Sequence, residues 1–262
     1  MKVRTFIVGC ALALALLLFA QHHQDSSPTP AFREVLDLTH AINAQTPSYD
    51  LSDKPAFQAT TVATVEKNGY FARDISLPEH FGTHLDAPAH FAHGLWTVDQ
   101  IPAERFLAPL VVLDVTAGAR TNADYQVAVE DIARWEQAHG QIPSDAVVMA
   151  HTGWDARWNS AKDYRNADDK GVMHFPGYSL EAAKFLVEAR NAVGLGIDTL
   201  SIDYGPSKDF PVHQYTLAHS LYHLENVANL DRTPATGATA VVAPMKLEGG
   251  SGSPVRIFAL VR

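Results

Sequence analysis

His80-Phe81-Gly82-Thr83-His84-Leu85-Asp86-Ala87-Pro88-Ala89-His90 sets three imidazoles and one carboxylate within eleven residues. Imidazole and carboxylate are donors that suit Zn2+, Mn2+ or Fe2+. His80 and His84, four apart, would share one face of a helical turn. His84 and Asp86, two apart, would share one side of an extended segment. Gly82 and Pro88 oppose a single helix through the whole stretch. The expectation is a bent loop that begins or ends a regular element and turns His80, His84 and Asp86 inward as metal ligands. The competing reading of the same spacing is an exposed His-rich loop.

Upstream of this stretch the pattern is strand-like. Val35, Asp37 and Leu38 lead into Thr39-His40, and a loop with Pro47 and Tyr49 follows. The β-branched run Thr60 to Val65 predicts a strand, and Asn68-Gly69 a turn into a second strand over Tyr70 to Leu77. A hairpin would thus deliver the chain to His80. Downstream, Val111 to Val115, Ala146 to His151 and Val193 to Ile202 predict buried strands. Asp124 to His139 has helical character, with Val129, Ile132 and Trp135 on one face and Gly140 as its stop. Residues 155–178 are polar and aromatic without clean periodicity, a length of loop that is usually functional or disordered. Ser179 would cap a helix running to Arg190. Ala238 to Leu247 and Val255 to Val261 predict two closing strands around the loop Gly249-Gly250-Ser251-Gly252-Ser253-Pro254. Strands outnumber helices and alternate with them only in the second half, which predicts a mixed α/β domain around a curved, barrel-like sheet with flanking helices.

A second His-rich segment runs from Pro211-Val212-His213 to Glu225-Asn226. Its His213, His219 and His223 are all candidates for a polar site, and alternation does not choose among them. The stretch H-x-G-T-H-x-D-x-P-x-H over 80–90 resembles the signature of the cyclase family of metal-dependent hydrolases, which includes bacterial kynurenine formamidases and isatin hydrolases. The resemblance covers most of residues 34–262 and implies one domain with the family's swivelling β/β/α fold. It also implies that the second segment is the family's H-x11-E-N element, which selects His213 and Glu225. His219 and His223 are then left as packing or surface residues. His213 and Glu225 would bind a second metal, with Asp86 bridging, or orient the nucleophilic water. The resemblance gives His90 the acid/base role; a fourth ligand or a structural histidine is the alternative.

The 262 residues fit one large domain, with 47% hydrophobic and 19% charged residues, and a net charge of −9 argues against a nucleic-acid surface. Residues 1–20 stand apart, with Lys2 and Arg4 before an uncharged run from Phe6 to Phe19 that is short for a membrane span. They predict a cleaved secretory signal peptide, with an uncleaved anchor as the alternative, followed by a flexible lead-in over 21–33. Cleavage would remove Cys10, the one cysteine, and leave neither a disulfide nor a thiol ligand. The mature protein is expected in the periplasm or outside the cell, without stable membrane insertion, as a homodimer.

The donor set predicts hydrolysis. A divalent ion acidifies water and polarises a carbonyl oxygen, and an imidazole that titrates near neutral pH can move the proton. One or two ions, Zn2+ or Mn2+, are expected. No G-x-S-x-G, G-x-x-x-x-G-K-[ST] or G-x-G-x-x-G occurs, so nucleophile-elbow and nucleotide-binding chemistry have no support. Aromatic residues near the motif and in the long loop predict a pocket for a planar ring, with Phe81, Trp96 and Trp154 as substrate contacts. The expected reaction is cleavage of a carbon–nitrogen amide bond in a small cyclic or aryl amide, isatin- or N-formylkynurenine-like. A lactone or ester hydrolase on the same site, and a non-catalytic periplasmic metal binder, are the other two readings.

Overall fold

The apolar runs on either side of the motif become strands of one ring. The computed structural model describes residues 32–49 and 56–262. In chain order the strands are β1 (Glu34–Asp37), β2 (Gln58–Ala63), β3 (Ala72–Ser76), β4 (His84–Asp86), β5 (Leu107–Asp114) and β6 (Gln126–Val127). They continue with β7 (Val147–His151), β8 (Gly177–Tyr178), β9 (Gly194–Ile197), β10 (Tyr222–Glu225), β11 (Ala238–Pro244) and β12 (Gly252–Val261). The main sheet has the order β1-β12-β11-β5-β7-β9-β10-β4. It closes because Gly252, Ser253 and Pro254 of β12 pair antiparallel with Asp86, Leu85 and His84 of β4. The result is a seven-strand barrel-like ring, with β1 paired to the far half of β12. Contacts divide the chain into Met1–Arg33 and Glu34–Arg262, and the fold described here is the second unit.

Strands β5, β7, β9 and β10 run parallel. Parallel neighbours need a crossover, and the helices Val129–His139, Leu180–Arg190 and Pro211–Ala218 supply one for each step. Strands β5, β7 and β9 are buried on both faces, which is why their sequences are largely apolar runs rather than alternating ones. Along β5, Leu110 and Val112 face the barrel interior with Leu85, Met149, Leu224 and Ile257. Val111 and Leu113 face the helices with Ile132, Trp135, Leu186 and Leu195. Each such fully buried aliphatic side chain contributes about 1.5–3 kcal/mol. Ser179 Oγ accepts from Ala182 N and caps its helix as expected.

Several boundaries differ from the sequence expectation. The helix expected from Asp124 starts at Val129, because Gln126–Val127 pairs with Gly177–Tyr178 and Asp131 turns back to accept from Ala128 N. The run Val193 to Ile202 is a strand only to Ile197; residues 198–203 leave the sheet. The run Thr60 to Val65 ends its strand at Ala63, and a short helix, Val65–Asn68, stopped by Gly69 at φ 77°, joins the hairpin β2–β3. That hairpin is a separate two-stranded sheet, not part of the ring. Residues 155–178 carry the helix Ala161–Arg165 and a small core of Trp154, Tyr164, Met173, Phe175 and Leu200. Among the described residues no helix is long and apolar enough to cross a membrane. The expected signal peptide, Cys10 and the lead-in through residue 31 lie outside the described residues.

Candidate metal centre

The register of two short strands builds the centre. In β4, His84 and Asp86 are two apart and share a side. The antiparallel neighbour β10 sets Glu225 opposite His84 and His223 opposite Asp86. His213 arrives from the first turn of the helix Pro211–Ala218, and His80 from the segment just before β4. His84 Nε2 lies 3.2 Å from Asp86 Oδ1 and 3.4 Å from Glu225 Oε2. His213 Nε2 lies 3.4 Å from Asp86 Oδ2 and 3.3 Å from Glu225 Oε1. His80 Nδ1 is 2.6 Å from Asp86 Oδ1, and His223 Nδ1 is 3.6 Å from Asp86 Oδ2.

What lies behind each ring fixes what it turns toward the centre. A neutral imidazole has one N–H and one lone pair. His84 Nδ1 donates to the Gly82 carbonyl at 2.9 Å, and His213 Nδ1 to Asp203 Oδ2 at 2.8 Å. Thr216 Oγ1 donates to the Val212 carbonyl, so it accepts from His223 Nε2 at 2.6 Å. Each ring therefore spends its proton outward and presents a lone pair to the carboxylates of Asp86 and Glu225. Lone pairs facing carboxylate oxygens repel unless positive charge sits between them. Asp86 Oδ2 and His223 Nδ1 are buried and have no hydrogen-bond partner among the described residues. Such a group is costly unless something fills it. Outer partners that fix the tautomer of each ring are the usual surroundings of metal-ligating histidines. The donors fall into two sets that share Asp86: His80, His84 and Asp86, and Asp86, His213, His223 and Glu225, with the donor atoms of each set within 4.8 Å of one another. Both sets fit a divalent ion.

With no cation between them, the same groups would have to share protons instead. Burial opposes ionisation of Asp86, but the His84 charge and the imidazoles of His213, His223 and His80 around it hold its carboxyl well below the usual range. Burial likewise opposes a charged His84, but Asp86 and Glu225 outweigh it and raise the imidazole to about 9. His213 is raised well above its ordinary value, against burial, by Asp203, Asp86 and Glu225. His90 goes the other way: burial, with His80, His213 and His223, lowers it to about 4 against the pull of Asp86.

The centre forms the floor of a cavity of about 270 Å3. Its walls are Pro47, Ser48, Tyr49, Phe91, Leu200 and Phe210, and no Lys or Arg among the described residues lines it. The Phe210 ring lies 6.3 Å from Tyr49 and 5.9 Å from Phe91. Ser201 Oγ, buried in the lining, has no hydrogen-bond partner among the described residues. His90 ends the turn Pro88–His90, lines the cavity and stacks on His80 at 4.0 Å.

The structure thus brings His80, His84, Asp86, His213 and Glu225 into one cluster, with His90 beside it. It also brings in His223, expected as a packing or surface residue; its spacing from Glu225 repeats that of His84 from Asp86. His219 ends its helix exposed, bonded to the Tyr215 carbonyl. The three expected substrate contacts do not line the cavity. Phe81 is 2% exposed and packed inside. Trp154 is buried with Nε1 donating to the Tyr164 carbonyl. Trp96 packs on the barrel core under Arg105. Large aromatic side chains near a motif serve the core more often than the cavity, and Tyr49, Phe91 and Phe210 take the wall instead.

A barrel that carries a histidine–carboxylate centre at the edge between β4 and β10 is the class of architecture these residues define. The family model described as "Putative cyclase" matches residues 36–204. The chain is 32% identical over 243 residues to the isatin hydrolase of Roseibium aggregatum, covering 87% of this chain and 92% of that protein. It is 29% identical over 182 residues to the kynurenine formamidase of Polaromonas naphthalenivorans, covering 70% and 71%. The solved isatin hydrolase A of Ralstonia solanacearum superposes with a TM-score of 0.82 at 33% identity, over 100% of this chain and 99% of that one. The chain belongs to the cyclase family.

Proposed function

We propose that this chain is a metal-dependent hydrolase that cleaves the carbon–nitrogen bond of a neutral cyclic or aryl amide, with Zn2+ or Mn2+ held by His80, His84, Asp86, His213 and Glu225, joined by His223. One observation carries the reading: imidazole lone pairs converge on two carboxylates at the floor of an aromatic-walled cavity. Such an ion supplies Lewis acidity toward a carbonyl oxygen and acidifies water. Tyr49, Phe91 and Phe210 hold the ring of the substrate and exclude water from its faces. The Ser201 hydroxyl donates to a polar atom of the bound amide. His90, beside the centre and outside both donor sets, takes a proton from the attacking water on an imidazole nitrogen and returns it to the leaving nitrogen. Water is thus added across the C–N bond, giving a carboxylate, an amine and one proton released to solvent.

The described walls are neutral, which favours an isatin-like cyclic amide over N-formylkynurenine, whose charged amino-acid group finds no partner among the described residues outside the centre. Turnover of isatin, N-formylkynurenine and a lactone panel by the metal-loaded protein tests this. Isatin is expected to lead; lactones turned over faster would make the chain an ester hydrolase, and no turnover of any would leave a metal binder. Export with cleavage near Gln21 is part of the proposal, supported by the charged start and short apolar run. The mature N-terminus, read by mass spectrometry from the native host, tests it. A homodimer is proposed as well, supported by the hairpin β2–β3, whose Val62, Tyr70, Phe71 and Ile75 are exposed. Light scattering tests that.

A further inference from the structure

The loop 249–254 is a conspicuous stretch of the sequence that the proposed chemistry does not use, yet it lies against the centre. Ser251 Oγ is 3.0 Å from His80 Nε2 and 2.8 Å from Glu79 Oε2. The same carboxylate oxygen accepts from Ser251 N at 2.9 Å and Gly252 N at 3.3 Å. A carboxylate only accepts, so the hydroxyl proton goes to Glu79, and Ser251 Oγ must then accept from His80 Nε2–H. In the neutral ring, a proton at Nε2 leaves the other nitrogen, Nδ1, with its lone pair, 2.6 Å from Asp86 Oδ1. Gly252 completes the seat: a Cβ there would lie 2.4 Å from His80 Cε1, so the ring rests on bare backbone.

We propose that Glu79 and Ser251 are positioning residues that lock His80 in the Nε2–H tautomer and thereby aim Nδ1 at the metal. The proposal rests on the reading of His80 as a ligand. Without Glu79 the hydroxyl is free to turn and donate to Nε2. That selects the Nδ1–H tautomer, which bonds Asp86 through a proton where a ligand is needed. The loop then acts on the metal without touching it, and Ser251 stands 171 positions from His80 in the chain.

The test is Mn2+ affinity of the full chain, read by titration of free Mn2+ with electron paramagnetic resonance. Ser251→Ala and Glu79→Ala are expected to weaken binding about 10–100-fold, the usual range for a residue behind a ligand. Ser251→Thr keeps the hydroxyl and should restore it. Because both residues act through one hydroxyl, the double variant should lose little more than either single one. The 15N shifts of His80 in the metal-free protein should move from the Nε2–H toward the Nδ1–H pattern in Glu79→Ala, a change that a merely loosened loop would not produce. His80→Ala is the reference. If it binds Mn2+ like the parent, the ligand reading fails. If it loses Mn2+ while Ser251→Ala and Glu79→Ala bind like the parent, the ligand reading stands and the positioning role is overturned.

Discussion

Replacing Asp203 with Asn probes how one buried carboxylate holds both a helix and a ligand. Asp203 Oδ1 accepts from Val212 N at 3.0 Å, and Oδ2 accepts from His213 N at 3.0 Å and His213 Nδ1 at 2.8 Å. An asparagine keeps one acceptor oxygen. Its best placement preserves the two bonds to His213 and turns the amide N–H toward Val212 N–H, donor against donor. The helix Pro211–Ala218 loses a capping bond, one buried N–H is orphaned, and the surviving bonds lose their charge. Together these amount to about 2–3 kcal/mol. For a domain of this size that is a fall in Tm of roughly 4–12 °C. Because His213 is no longer held in the Nδ1–H tautomer by a charge, Mn2+ affinity should also fall about 10–100-fold. Thermal unfolding in chelator isolates the first effect, and metal titration the second. A Tm in chelator within about 1 °C of the parent, where one kcal/mol alone is worth about 2–4 °C, would refute the account of the cap, and unchanged affinity the account of the ring.

His90→Ala should keep its metal and its fold while kcat/KM drops about 10²–10⁴-fold; loss of metal in step with rate, or rescue by excess metal, would make His90 a ligand instead. The Tyr164 hydroxyl, fully buried, lies 2.8 Å from the Asp198 carbonyl and 3.0 Å from Asn226 Oδ1. Tyr164→Phe should therefore cost about 1–3 kcal/mol in denaturant unfolding, and an unchanged midpoint would count against the bond. Glu136 takes two bonds from Arg190, at 2.5 and 2.7 Å, and one from Ile142 N. Arg190 foremost, against burial, holds its carboxyl below the ordinary value of 4.5. A lowered folded value stabilises above the unfolded one and fades as pH falls through it. The stability gap between the parent and Glu136→Gln should thus be full near neutral pH and close on acidification below about 4.5; a gap independent of pH would refute it.

Much of the centre was legible because strand periodicity is short-range information. His84-Leu85-Asp86 alternates, so its two donors had to share a side wherever β4 lay. His223-Leu224-Glu225 carries the same alternation, and reading it as a strand would have brought His223 in. What hid it was the second His-rich segment, where a helix with Pro211 at its first turn switches to a strand within four residues of its end. Of the parallel strands, β5, β7 and β9 were legible as apolar runs, since burial on both faces leaves no alternation to mislead. The cavity wall was not. Whether an aromatic ring faces core or cavity depends on which strands close the ring, and that pairing joins residues far apart in the chain. Trp154 and Tyr49 look alike in sequence; a bond from Nε1 to the Tyr164 carbonyl puts the first in the core. Asp203, Ser251 and Glu79 escaped for the same reason: a residue that acts behind a ligand has no spacing rule tying it to the ligand.

Ring closure by β12 also sets the order in which the molecule can be made. The last strand of this ring in chain order, β12, pairs with β1, β4 and β11, from both ends of the domain. Until it emerges, β4 and β11 each have an open edge with unpaired amides and carbonyls, the kind of edge that recruits strands from other chains. Contacts this distant in sequence form slowly, because the long loop must close before they reward it. The centre is therefore a late product of folding. A nascent chain that stops before Gly252 lacks both the closing strand and the seat of His80, and it should partition to chaperones or aggregates rather than accumulate as a weaker enzyme.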